Sequence, residues 1–439
     1  MTRIVLLALL LILCKAPMAD TYPKIAVIDQ GYQSTYSNAD RMEKVSRNDL
    51  IIWGFYPGQT SGLSGSSITN HLTAIDAKNP AVKHAQYTIV QQINWNDSFF
   101  DDLEAYADTN DWWVYNFDDS TKETTGSANS YAVNITTWAP VDGSGYRYPQ
   151  YYANHIQSQF PWSLFDFVFI DNVFNTSQLI SEPGDWNRDD VNNSSDANTD
   201  ATLTSRYRSG QVAYVTAFAS LQPDIETIAN AVASNPLDQE YSGVYDGGLY
   251  ENLQDYSFAT VKARVEATIP NLIDEGALIM NVTDAVSQQQ GRFWLATTMI
   301  LTNGYFSYTN DAVANWYIVR FDEYDLDCGD AIDSKQSAAW SNGVYKREFD
   351  NCLVLVNPSG SQQTVTLPAG NWYTIRGCLD PTNNDGALKT SLTLANADGR
   401  ILVKTLAAPI NLRGASRATC TSMTVPIGYS LAPKKRARR

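Results

Sequence analysis

Two acidic residues stand where apolar runs stop. Asp171 follows the run in FDFVFIDNVF (165–174), and Glu251 follows that in GVYDGGLYEN (243–252), with Asp246 earlier in the same run. A pair of carboxylates facing one gap can divide acid and base work, one in its protonated form and the other ionised. Other chemistries have less support. The histidines are His71, His84 and His155, and none lies in an HExxH pattern or beside a GxSxG. That argues against a zinc protease and a Ser-His-Asp hydrolase.

Such a pair needs elements that bring distant residues together. Short β-rich runs cover residues 24–30, 49–56, 86–93, 166–171, 224–230, 241–251, 277–283 and 304–308, and segments of helical period lie between them, as at 205–222, 257–276 and 291–304. Strands alternating with helices in that number predict an α/β fold, a (β/α)8 TIM barrel. A doubly wound sheet is the alternative, and no Gly-rich phosphate turn follows the first strand to favour it. In a barrel the functional groups sit at the C-terminal strand ends. Asp171 ends the fourth strand and Glu251 (or Asp246) the sixth, so both reach one mouth. Hydrolysis of a glycosidic bond uses this arrangement: one acid protonates the leaving oxygen while the other attacks or activates water. The content of 11 Trp and 25 Tyr suits a carbohydrate partner, because aromatic faces stack on sugar rings.

Further residues are expected to line subsites. Asp29 ends the first strand, Trp53 and Tyr56 the second, Asn230 the fifth and Asn281 the seventh. Asn172 adjoins Asp171, Tyr245 and Tyr250 flank the Gly247-Gly248 pair expected to leave room at the rim, and Asp118 lies in an excursion between strands three and four. The plainer alternative makes Asp171-Asn172 an Asx turn or helix cap and Glu251 a solvated loop residue.

Organisation at the ends follows from composition. Residues 1–19 read as a secretory signal peptide, with one Arg, an apolar run over 4–13 and small residues before Asp20. The barrel then occupies 20–325. From 326 to 430 strands alternate with Pro/Gly turns and no helical period intervenes, which predicts an antiparallel β-sandwich. A basic tail, 431–439, closes the chain. The sandwich region holds Cys328, Cys352, Cys378 and Cys420, an even set that fits one or two disulfides in an exported chain, with three pairings open. Net charge is -16 over the whole sequence. That acidity argues against nucleic acid and anionic lipid as partners, and no run after the signal peptide is long enough to cross a membrane. No feature of the sequence fixes an oligomeric state.

The sequence resembles a family of hypothetical glycoside hydrolases related to the endo-polygalactosaminidases and, more distantly, the melibiase clan. The resemblance is carried by FDFVFIDNVF, YAVNITTWAPVDGSGYRYPQYYANHI (131–156), QPDIETIANA (222–231), GGLYENL (247–253), RFWLATTMILTNGYFSY (292–308) and YKREFDNCLVLVNPS (345–359). It implies Asp171 as nucleophile and Glu251 as acid/base, with no cofactor needed for the chemistry. A non-catalytic carbohydrate-binding protein on the same scaffold is the rival expectation.

One polar stretch after strand four spaces oxygen donors as calcium loops do: Asp185, Asn187, Asp189, Asn193 and Asp196. A loop of this kind could wrap a structural Ca2+. Asp190 stands where such loops carry glycine, and the alternative is a solvated insertion.

Overall fold

The computed structural model describes residues 21–29, 38–55, 65–117, 121–126, 129–174, 177, 180, 184–192, 194–230, 241–283, 287–309 and 320–405. Its first ten strands are β1 (Ile25–Asp29), β2 (Leu50–Trp53), β3 (Lys83–Thr88), β4 (Gln92–Asn94), β5 (Ser130–Ala132), β6 (Phe167–Ile170), β7 (Glu226–Asn230), β8 (Gly247–Tyr250), β9 (Ile279–Val282) and β10 (Tyr305–Tyr308). All except β4 and β5 pair in parallel and close into a barrel in the order β1-β2-β3-β6-β7-β8-β9-β10. The expected eight-stranded barrel is therefore the observed one. Helices α1 (Ala39–Val45), α2 (Gly65–Asp76), α3 (Asp101–Asn110), α4 (Tyr148–Gln157), α5 (Ala201–Leu221), α6 (Phe258–Thr268) and α7 (Gln288–Leu301) accompany it.

Most barrel strands are buried on two faces, because one packs the lumen and the other packs helices. Period two then sorts the side chains. Ala26, Leu50, Ile52, Ala85, Phe167, Phe169, Ile228, Leu249, Ile279 and Tyr305 form the lumen core, with Ile28 and Tyr87 against it. Their neighbours Ile51, Trp53, Val168, Ile170 and Ala229 belong to a separate outer cluster with the helices. The run FDFVFI is apolar throughout for this reason.

Two strands differ from the sequence expectation. The third begins at Lys83 and stops at Thr88, so the 86–93 run is split, and β4 pairs antiparallel with β5 in a small sheet outside the barrel. The sixth occupies only the end of the 241–251 run, leaving Asp246 before the strand. Gly247 sits not at the rim but at the strand's start, where a Cβ would meet the Ala277 carbonyl oxygen at 2.3 Å. Close approach also fixes Gly210 in α5, whose Cβ would come within 1.9 Å of the Ile135 carbonyl oxygen.

The second unit is a sandwich. Strands β11 (Tyr345–Glu348), β12 (Cys352–Asn357), β14 (Trp372–Thr374), β15 (Leu388–Lys389) and β17 (Asp398–Val403) form one sheet, and β13 (Gln363–Thr366) with β16 (Ser391–Leu394) form the other. Leu353, Leu355, Val365, Trp372, Leu394 and Leu402 fill the space between them. The opposite face of the larger sheet, through Val354, Val356 and Ile401, packs on α7. That helix is buried from Gly291 to Leu301, since barrel and sheet enclose it from both sides. Arg347 of β11 ties the two units together: it donates to the Met299 and Thr302 carbonyls at the end of α7, both at 2.7 Å, and to Asn303 Oδ1 at 2.8 Å. Cys328 and Cys352 are bridged. Cys378 is also disulfide-bonded, while Cys420, the expected signal peptide (1–19) and the basic tail (431–439) lie outside the described residues.

Candidate active site

The lumen phase runs to the C-terminal end of these strands and, on β6 and β8, one residue past it. On β6 it runs Phe167, Phe169, Asp171; on β7, Ile228, Asn230; on β8, Leu249, Glu251; on β3, Ala85, Tyr87. Tyr87, Asn230 and Asp171 meet at the C-terminal end of the barrel, and Glu251 stands at the same end. Tyr87 OH donates to Asp171 Oδ2 in a short hydrogen bond. Asn230 Nδ2 donates to Asp171 Oδ1 at 2.8 Å, and the Asn172 backbone N–H donates to the same oxygen at 2.9 Å. Asp171 is thus surrounded by neutral donors, each of which favours its anion.

Burial opposes them. Desolvation is the largest influence on Asp171 and pushes its pKa above the ordinary carboxylate value, against the hydrogen bonds from Tyr87, Asn230 and Asn172. Tyr87 is held well above its ordinary value by burial first, then by the charge of Asp171 and, more weakly, that of Glu251. The phenol therefore stays a neutral donor. It also lies within the field of both carboxylates.

The backbone after each acid turns in the same way. Asn172 and Asn252 adopt left-handed conformations, with φ of 56° and 58°. Asparagine tolerates that region better than most residues, so each one lets the chain leave the wall immediately after its carboxylate. Gln91 Nε2 fixes the first turn by donating to the Asn172 carbonyl at 2.7 Å. Thr283 fixes the second: its hydroxyl donates to Asn252 Oδ1 in a short bond, and it exchanges hydrogen bonds with Gln254 at 3.1 and 3.2 Å.

Asn281 also has lumen phase, is buried, and accepts a long 3.5 Å bond from Thr309 Oγ1. Five expected contacts lie elsewhere, and strand phase or strand end is the reason in each case. Asp29 shares the outward phase of Ile25 and Val27 and is buried in an ion pair with Arg41 of α1. Trp53 points outward too, donating from Nε1 to His84 Nδ1 at 2.9 Å and stacking on Phe55. Tyr250 faces α6, where its hydroxyl donates to the Arg264 carbonyl and bonds the Thr268 hydroxyl. Asp246 is at the opposite end of the barrel, its Oδ2 accepting from Thr227 N at 2.7 Å and Thr227 Oγ1 at 2.8 Å. Tyr245 is fully buried in the outer core. Tyr56, Asp118 and Asn193 lie outside the described residues. Tyr87 had no place in the sequence reading; counting alternate residues from Ala85 would have found it.

The oxygen-rich loop closes on itself. Asp185 accepts backbone N–H bonds from Arg188, Asp189 and Asp190 at 2.7 to 3.2 Å. Asn187 accepts from Asp189 N and donates to Asp189 Oδ2, both at 3.1 Å, and Asp189 Oδ1 accepts from Val191 N. Asp190 is left-handed at φ 58°, as the glycine position of a calcium loop requires. Asp196 is buried. Among the described residues no group of three or more His, Cys, Asp or Glu side chains is gathered as a metal site, and no helix is long and apolar enough to cross a membrane.

No family model matches the chain, and no curated protein matches it. Among solved structures it is similar to the GH36 alpha-galactosidase AgaA of Geobacillus stearothermophilus, at 10% identity and a TM-score of 0.44, over 88% of this chain and 56% of that one. It is similar to the glycoside hydrolase domain of PelA from Pseudomonas aeruginosa, at 10% identity and 0.39, over 67% of this chain and 96% of that one. A third is the cyclic alpha-maltosyl-(1-->6)-maltose hydrolase of Arthrobacter globiformis, at 10% identity and 0.48, over 85% and 90%. The chain spans about half the length of the alpha-galactosidase structures it matches.

Proposed function

We propose that the protein is a secreted glycoside hydrolase cleaving a polysaccharide or oligosaccharide, with Asp171 as nucleophile and Glu251 as general acid/base. The observation that supports this reading is Tyr87, one hydroxyl bonded to Asp171 and within the field of Glu251 at the catalytic end of a (β/α)8 barrel. Asp171, provided with donors from Tyr87, Asn230 and Asn172, attacks the anomeric carbon as its anion. Glu251 protonates the leaving oxygen, then takes a proton from the water that releases the sugar. A carboxyl separation of about 5 Å in the complex accompanies this retaining course, and one of about 6.5–9.5 Å accompanies inversion through a water. The leader sequence and the Cys328–Cys352 bridge support export.

The test is product release from a panel of polysaccharides by the wild type, Asp171→Asn and Glu251→Gln. Each substitution should lower turnover by at least about 10²–10⁴-fold, the range for loss of an acid–base group. Activity surviving both substitutions would sink the assignment. Glycan bound by the wild type without product would instead make this a carbohydrate-binding protein. A structural Ca2+ at Asp185, Asn187, Asp189, Asn193 and Asp196 is a separate proposal, supported by the donor spacing and the left-handed Asp190. It predicts a melting temperature that falls on chelation and returns with added calcium.

A further inference from the structure

The two oxygens of Asp171 are not held alike. Oδ1 accepts from Asn230 Nδ2 and from the Asn172 backbone, and Oδ2 has Tyr87 OH as its donor. A carboxylate oxygen offers two lone-pair directions. Two donors occupy both directions at Oδ1, whereas the Tyr87 bond leaves one at Oδ2. Tyr87, Asp171 and Glu251 each keep part of their surface exposed, so the group is not sealed inside the barrel. We propose that Tyr87 is a positioning residue that makes Oδ2 the attacking atom of Asp171, with Oδ1 as the anchored one. This rests on the glycoside hydrolase reading and specifies how its site is used.

The step balances without another reactant. Oδ2 forms a bond to the anomeric carbon, the bond from that carbon to the leaving oxygen breaks, and the leaving oxygen takes the Glu251 proton. Tyr87 keeps its own proton. As Oδ2 becomes an ester oxygen it accepts more weakly, so the Tyr87 bond is weakest in the intermediate and regains strength as the carboxylate departs. Tyr87 therefore favours breakdown of the intermediate: water attacks the carbon, its proton goes to Glu251, and the electron pair of the breaking bond returns to Oδ2. The titratable groups facing Tyr87 are Asp171 on the end of β6, Glu251 on the end of β8 and Tyr152 on α4.

The experiment uses full-length protein labelled with [4-13C]aspartate, the Asp171 resonance being identified by its loss in Asp171→Asn. In Tyr87→Phe the titration midpoint of that resonance should rise by about 1–2 pH units, the loss of one hydrogen bond to a charged group. Tyr87→Gln, which returns a donor, should bring it back toward the wild-type midpoint. A 2,4-dinitrophenyl glycoside panel supplies the second readout. With so good a leaving group breakdown limits turnover, and Tyr87→Phe should lower kcat and KM together. An unmoved midpoint with a folded variant overturns the role of Tyr87 even if the wild type hydrolyses glycosides. A moved midpoint with no hydrolysis by the wild type overturns the hydrolase reading instead.

Discussion

Replacing Asp171 with asparagine should abolish turnover and raise stability at neutral pH. The shape of the site permits it. The new side chain would keep the donors Asn230 Nδ2 and Asn172 N on its carbonyl oxygen, while its amide donates to Tyr87, whose hydroxyl can rotate and accept. The hydrogen bonds survive and a desolvated charge disappears. The sign follows from the raised pKa of Asp171, for which burial outweighs the three donors. A group whose pKa is higher in the folded state binds its proton more tightly there. It contributes stability that is complete below the ordinary value of 3.8 and is lost as pH rises through the folded pKa.

Asparagine does not titrate, so the variant escapes that loss. Relative to wild type it should gain about 1.36 kcal/mol per pH unit from just above pH 3.8 until Asp171 ionises in the folded protein, then level off. A chain of 439 residues unfolds with an entropy of about 2.1 cal/mol/K per residue, so each such unit is about 1.5 °C in Tm. Calorimetric melting of both proteins from pH 3 to 7 isolates the difference, because their other carboxylates are shared. A gap that is flat across that range, or one that closes as pH rises, would refute the claim that burial dominates at Asp171. The donors would then hold the anion more strongly than burial disfavours it.

Three further outcomes test the packing. Removing the Cys328–Cys352 bridge by a double serine substitution should cost about 3.4 kcal/mol at a separation of 24 residues, read from denaturant unfolding under non-reducing conditions. Arg347→Met strands the carbonyls at the end of α7 and should destabilise by about 1–3 kcal/mol for each, with the loss appearing in melting rather than in the turnover of the folded fraction. Trp53→Phe and Tyr250→Phe, both directed away from the lumen, should each lower stability by about 1 kcal/mol through a lost hydrogen bond and leave KM unchanged, whereas a sugar contact would raise it.

The barrel was legible because eight apolar runs alternating with helical segments have few other ways to bury both faces of each strand. The sandwich was legible from the change in period after about residue 325. The placement of individual polar residues was harder, since a strand end is a weaker clue than a strand phase. Asp29, Trp53 and Tyr250 all terminate strands, yet each is an even number of residues from an outward-facing neighbour such as Val27 or Ile51, or alternates with an inward one such as Leu249. A barrel strand apolar on both sides hides that phase, because its hydrophobicity does not alternate.

The phase of the two acids can be recovered from their successors. Asp171-Asn172 and Glu251-Asn252 each pair a carboxylate with an asparagine that takes the left-handed turn. A residue in phase with the lumen and followed by such a turn is the last side chain to face inward before the wall ends, so it is held by the strand below while its carboxylate remains at the opening. A turn one residue earlier would remove the acid from the strand's support, and one residue later would add an outward side chain between acid and rim. Asn172 matters here through its backbone, while Asn252 adds a side-chain bond from Thr283. Asn172→Gly should preserve the site far better than Asn172→Ala, because alanine at positive φ is strained whatever space surrounds it, whereas Asn252→Gly keeps the turn but loses the Thr283 bond to the Asn252 side chain.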